Sequence, residues 1–272
     1  MQAEQSLKEG NLDEALAKLQ EQVRKDPAKP EYRVFLFQLL SVLGQWERAL
    51  TQLNVAADMD ASTLAMAQTY RSALQAEVLR QAIFEGKRSP LVFGEPQNWV
   101  ALCIEALRVG AQGHPAQAQE LRDRAFEEAP ASPGTLDDQP FEWIADADPR
   151  LGPILEAVVL GKYYWIPFAN IRKITLEEPA DLRDVVWTPA YFEWANGGEG
   201  VGLVPTRYPG SESDTRPEVR LARLTDWQDA GNELYLGKGQ RLFATDAGEY
   251  PIMDTRVIQL SGESPGDAAD HG

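Results

Sequence analysis

A stretch that repeats itself at a fixed distance constrains a fold more than any single residue does, and this chain carries one near its start. Gly10-Asn11-Leu12-Asp13-Glu14-Ala15-Leu16 leads through Leu19 to Asp26-Pro27, and 34 residues later Gly44-Gln45-Trp46-Glu47-Arg48-Ala49-Leu50 leads through Leu53 to Asp60. Each part suits a pair of antiparallel helices. The glycine lets the backbone turn sharply, Leu12 or Trp46 opens the second helix, and the alanine is small enough for two helices to approach closely. Pro27 closes the first unit.

A period of 34 is that of the tetratricopeptide repeat. A third copy, degenerate and out of phase, reads Gly113-His114-Pro115-Ala116-Gln117-Ala118 and ends at Ala129-Pro130, with the glycine-to-proline spacing of Gly10 to Pro27. Residues 64–95 match no register. Leu64 to Phe84 nevertheless has helical spacing, and Gly86-Lys87-Arg88-Ser89-Pro90 reads as a break, so one irregular helix is expected there.

Beyond Pro130 the chain changes character. Formal charge is −4 up to that point and −12 after it, and five of the seven tryptophans lie in the second part. Short runs rich in Val, Ile, Tyr and Trp predict strands over Tyr163–Ile166, Ile171–Leu176, Val185–Trp194, Val201–Val204, Val219–Trp227, Gln240–Thr245 and Ile252–Leu260. Asn196-Gly197-Gly198 and Asp246-Ala247-Gly248 are hairpin-type turns. Asp148-Pro149 before an apolar run predicts a helix through Leu160, stopped by Gly161. The alternation around Tyr163-Tyr164-Trp165 and Tyr191-Phe192-Glu193-Trp194 puts Trp165 and Trp194 inside, with Tyr164 and Glu193 facing out. The expected fold class is α+β: a tetratricopeptide-like helical domain over 1–130, a linker over 131–140, a strand-rich antiparallel sheet or small barrel over 141–260, and a flexible tail over 261–272.

Charge and composition exclude several functions. With 42 acidic and 26 basic side chains the net charge is −16, which repels phosphate backbones and anionic lipid, so neither nucleic acid nor membrane is an expected partner. The single cysteine, Cys103, and an apolar-poor start read as cytoplasmic. Only His114 and His271 are present, too few for His-based catalysis or a zinc site. Gly231 to Gly237-Lys238-Gly239 lacks the spacing of a phosphate-binding loop. Glu142, Asp146 and Asp148 are crowded enough to hold a hard cation, but capping and turn chemistry explain them better. Cys103 lies in an apolar run, where a thiol is ordinarily a small buried hydrophobe. No catalytic, cofactor or metal residue is assigned.

The blocks Asn11-Leu12-Asp13-Glu14-Ala15-Leu16, Phe35-Leu36-Phe37-Gln38-Leu39-Leu40, Gly44 to Leu53, Pro140-Phe141-Glu142-Trp143-Ile144-Ala145-Asp146, Gly161-Lys162-Tyr163-Tyr164-Trp165-Ile166-Pro167-Phe168, Pro205-Thr206-Arg207-Tyr208-Pro209-Gly210 and Thr245-Asp246-Ala247-Gly248-Glu249-Tyr250-Pro251 resemble the ImpE/SciE family, also called TagJ. The resemblance runs from about residue 7 to about 258. It implies a non-enzymatic, cytoplasmic accessory component of bacterial type VI secretion, partner of the small contractile-sheath subunit and linked with the ClpV unfoldase. A general tetratricopeptide regulator with another protein partner is the alternative. The resemblance carries no contact residues, so the repeat supplies them: the first helix of a pair lines the binding groove. In the second repeat this helix runs from about Glu31 to Leu43. Its register points Val34, Gln38, Ser41 and Val42 into the groove, with Leu36, Leu40 and Leu43 toward the core.

Overall fold

The computed structural model describes residues 2–261 apart from Pro96 and Glu233. The expected tail beyond Ser261, including His271, lies outside the described residues. The repeat period is visible as burial. Helix α1 (Gln2–Lys8) turns at Gly10 into α2 (Leu12–Lys25), and α3 (Pro30–Val42) turns at Gly44 into α4 (Trp46–Met59). Ala15 and Ala49 are both fully buried, as are Leu19 and Leu53, and Val23 and Ala57 nearly so. Each pair is 34 residues apart. The turns need glycine: φ is +79° at Gly10 and +66° at Gly44, and a Cβ at Gly44 would also lie 2.4 Å from Glu212. Asn11 caps α2 by accepting from the Glu14 amide. The long α5 (Leu64–Phe84) follows, then α6 (Asn98–Ala111) and α7 (Pro115–Glu128), paired across a turn at Gly113.

The strands are β1 (Leu91–Val92), β2 (Gly134–Leu136), β3 (Gln139–Phe141), β4 (Ile144–Asp146), β5 (Ile154–Val159), β6 (Lys162–Pro167), β7 (Ile171–Leu176), β8 (Trp187–Trp194) and β9 (Glu199–Pro205). After the short helix α8 (Pro217–Arg220) come β10 (Thr225–Asp229), β11 (Tyr235–Gly239), β12 (Leu242–Thr245), β13 (Gly248–Pro251) and β14 (Val257–Leu260). Nine of them form one sheet in the order β1-β6-β5-β9-β8-β7-β14-β2-β3, antiparallel except where β1 lies parallel to β6. A three-stranded sheet, β13-β12-β4, and the β10-β11 hairpin complete the second part. The sheet has two free ends, β1 and β3, so it is open and the small-barrel alternative is discarded.

Three further expectations are corrected. The run through Leu160 is not a helix: Ile154–Val159 is strand β5, and all six residues are buried. Ile154 and Val158 belong to the core shared with the helices, whereas Leu155, Ala157 and Val159 belong to the core on the sheet's other face. A strand buried on both faces has no alternation, and its run, apolar but for Glu156, is indistinguishable from a buried helix by period alone. The segment 131–140, expected as a linker, holds β2 and the start of β3, which extend the sheet beside β14. Of the stretch Val219–Trp227, only the part from Thr225 is strand, because Pro217 opens α8 just before it.

The helical part and the sheet share one core. Leu19, Leu53 and Leu74 join Val158, Trp165, Trp187 and Leu203 in it. On the far face, Leu155, Ile166, Phe192 and Ile258 pack with Phe243 of the three-stranded sheet. Trp165 and Trp194 are buried as expected and Glu193 is half-buried, whereas Tyr164, expected to face out, packs against the far core and meets Phe93 edge-on at 5.6 Å, because the sheet is covered on both faces there.

Candidate functional site

In a repeat array the first helices of the pairs, here α1, α3 and α5, ordinarily present the ligand face. This chain covers much of that face with its own sheet domain. The 3-10 turn Leu182–Val185 packs on α3. The Trp187 ring packs at a tilt 6.2 Å from Trp46 and 5.6 Å from Tyr70, and the Arg183 guanidinium sits 4.8 Å over the Tyr70 ring. Arg207 donates to the carbonyls of Val42 at 2.9 Å and Ser41 at 3.4 Å. It thereby places a cation at the negative end of the α3 dipole.

The four residues expected in the groove separate accordingly. Ser41 and Val42 are fully buried, and the Ser41 hydroxyl donates to the Phe37 carbonyl at 2.9 Å. Closed to solvent, with the Arg207 guanidinium on their main-chain carbonyls, they line no open groove, and their assignment to a binding surface is corrected. Gln38 is 6 % exposed and Val34 is half-buried. These two line what stays open, a cleft of about 400 Å³ between α3 and the segment 180–182. Val34, Phe35 and Leu182 give it an apolar floor, and Glu4, Glu31, Asp60 and Asp181 stand round it. No lysine or arginine lines it. The Asp60 carboxylate accepts from the amide and hydroxyl of Ser62, both at 2.8 Å, which hold its carboxyl below the usual carboxylate range. Asp181 is 2.5 Å from Arg183. Residues 180–182 had no sequence signal connecting them with Val34, since a contact between residues so far apart depends on how the two parts dock.

Beneath the interface lies a buried charge network. Glu156, in the middle of β5, accepts from Arg80 Nε at 2.7 Å and Nη2 at 2.6 Å, from the Tyr163 hydroxyl, and from Arg241. Arg241 also pairs with Asp146, and Trp187 donates to Glu77 at 3.0 Å. Burial opposes ionisation of Glu156, but the two guanidinium groups and the phenol hold its carboxyl down to about 2. Asp146 goes the other way: burial pushes it up to about 7 despite Arg241. A charged residue inside an otherwise apolar run, as Glu156 is, was the available signal for such a network. Asp146 and Asp148, suspected as a cation site, are structural: Asp148 takes the Arg150 guanidinium and the Gly237 amide. Cys103 is buried, and burial pushes its thiol up to about 12. Among the described residues no group of three or more His, Cys, Asp or Glu is placed to hold a metal.

Comparison with known proteins agrees with this architecture. The ImpE protein family model matches residues 138–259, and a tetratricopeptide repeat model matches residues 6–76. The type VI secretion system accessory component TagJ of Pseudomonas aeruginosa is 48% identical over 260 residues, 96% of this chain and 91% of the relative. A crystal structure of a Vibrio parahaemolyticus protein superposes with a TM-score of 0.87 at 27% identity, covering 97% of this chain and 98% of the other. An array of helices capped by an open sheet, followed along almost its whole length by a relative with nearly half its residues in common, places the chain in the ImpE family, which includes the type VI secretion accessory component TagJ.

Proposed function

We propose that this protein is a non-enzymatic, cytoplasmic adaptor of type VI secretion that binds the small subunit of the contractile sheath and assists its assembly or its ClpV-linked recycling. The cleft beside α3 carries the reading: an apolar floor of Val34, Phe35 and Leu182, with four carboxylates and no lysine or arginine in its lining, one of the four, Asp181, being paired with Arg183 behind it. Few apolar anchors inside a polar rim suit a partner that must be held and then released. The rim selects the partner's chemistry. A short amphipathic segment with Lys or Arg on its polar face meets complementary charge, and an acidic one is repelled by the rim and by the chain's net −16. The sheath assignment itself rests on membership of the family.

The test is a binding titration between the purified protein and the small sheath subunit. Val34→Lys replaces a half-buried anchor with a charge of the wrong sign, and it should weaken binding about tenfold or more while the melting temperature stays nearly unchanged. Raising salt should slow association of the unmodified pair. Wild-type affinity in Val34→Lys would remove the cleft from consideration, and absence of binding by the unmodified protein would remove the sheath partner.

A further inference from the structure

Independently of the secretion reading, a second cavity carries chemistry of its own. Among the described residues four arginines are buried: Arg80, Arg122, Arg207 and Arg241. Arg80 and Arg241 have carboxylate partners, and Arg207 donates to three carbonyls. Arg122, on α7, is 5 % exposed, and its one hydrogen bond goes from Nη2 to the Gln119 amide oxygen at 2.7 Å. Among the described residues it has no carboxylate partner. The nearby Asp148 is already engaged by Arg150 and by the Gly237 amide. A guanidinium has five N–H donors, so most of this one's capacity is left unused by the protein's own acceptors.

The unused donors border a cavity of about 200 Å³ between α6, α7 and the β10-β11 hairpin. Cys103, Ala106 and Leu107 of α6, Ala118 of α7, and Leu234 and Leu236 from the hairpin make most of the remaining wall apolar, and Arg150, also in the wall, is engaged by Asp148. Its size is below the roughly 300–1,000 Å³ of drug-sized pockets, yet an apolar cavity of about 150 Å³ already holds a molecule of benzene's size. With Arg150 held by Asp148, the one uncompensated cation at the wall of this largely apolar chamber is Arg122, and it specifies a ligand with one anionic end and a short hydrocarbon body. We propose that this cavity is a binding site for a small aliphatic monocarboxylate, its carboxylate on Arg122 and its chain against the α6–α7 pair, with the β10-β11 hairpin as its cover.

Hexanoate and hexan-1-ol, which share a chain and differ in the charged end, provide the test on the full-length protein by amide NMR titration. Hexanoate should bind at about millimolar strength and shift the amides of Ala106, Ala118 and Leu234. Hexanol should bind at least about tenfold more weakly, because it forgoes the charged hydrogen bonds. In Arg122→Gln, hexanoate should fall to the level of hexanol while hexanol is unchanged. Equal binding of acid and alcohol by the unmodified protein, no saturable shift with hexanoate, shifts confined to other parts of the molecule, or undiminished hexanoate binding in Arg122→Gln would each overturn the site. The comparison of acid with alcohol needs no variant, so it decides even if Arg122→Gln does not fold.

Discussion

Glu156 shows what one side chain can contribute when it sits where two domains meet. It is fully buried in a central strand, yet it takes both Arg80 from the helical part and Arg241 from the sheet part. Removing one member of such a network leaves the others charged and dry, so Glu156→Gln should destabilise the protein by about 3–5 kcal/mol, read from denaturant unfolding. The pH dependence follows from the same geometry. The folded-state carboxyl is held at about 2, below its ordinary 4.5, so the unfolded chain binds the proton more readily between those values. The stabilisation from Glu156 is therefore complete above about pH 4.5 and disappears as pH falls toward 2. Subtracting the unfolding profile of Glu156→Gln from that of the unmodified protein should show this difference shrinking in acid; a constant difference would contradict the network.

At the scale of elements, the repeat turns on how closely helices approach. Ala49 is fully buried where α4 meets α3, and Ala15 occupies the same place one repeat earlier. Ala49→Leu forces extra methylenes into a filled seam and should cost about 1–3 kcal/mol, lowering the thermal midpoint by several degrees. Unchanged melting would mean that the repeat register is wrong. Val42→Asp, which a free groove would tolerate, should instead prevent stable folding, since Val42 is fully buried under the sheet domain. Circular dichroism of the two variants separates a strained repeat from a lost one.

For the whole molecule, the shared core predicts how it comes apart. Helix residues such as Leu53 and Leu74 and sheet residues such as Trp165 and Trp187 belong to one apolar cluster, so heating should give a single cooperative transition rather than two. Limited proteolysis should likewise spare 131–141, which is tied into the sheet, and begin at the exposed tip of the β10-β11 hairpin around Asp229–Asn232. Early cleavage inside 131–141, or two resolved transitions by calorimetry, would show that the parts are energetically separate.

What could be read from sequence was local or periodic. The helix pairs about Gly10 and Gly44, the alanine seams, and strands with alternating burial such as β7 and β8 are written in spacings of a few residues, because backbone turns and one-sided burial act at that range. The membership of the family was legible too, since it resides in short contiguous blocks. Strand β5 was misread for the converse reason: burial on both faces erases the alternation that distinguishes strand from helix. The fate of α3 was decided only by tertiary structure. Val34 lines an open cleft, but no local pattern records that Arg207, far along the chain, would seal the end of α3 at Ser41 and Val42. Docking of one domain on another depends on the summed shape and charge of two surfaces that exist only after each has folded, and for that reason the covered face, the buried charges and the acidic cleft had to be seen to be known.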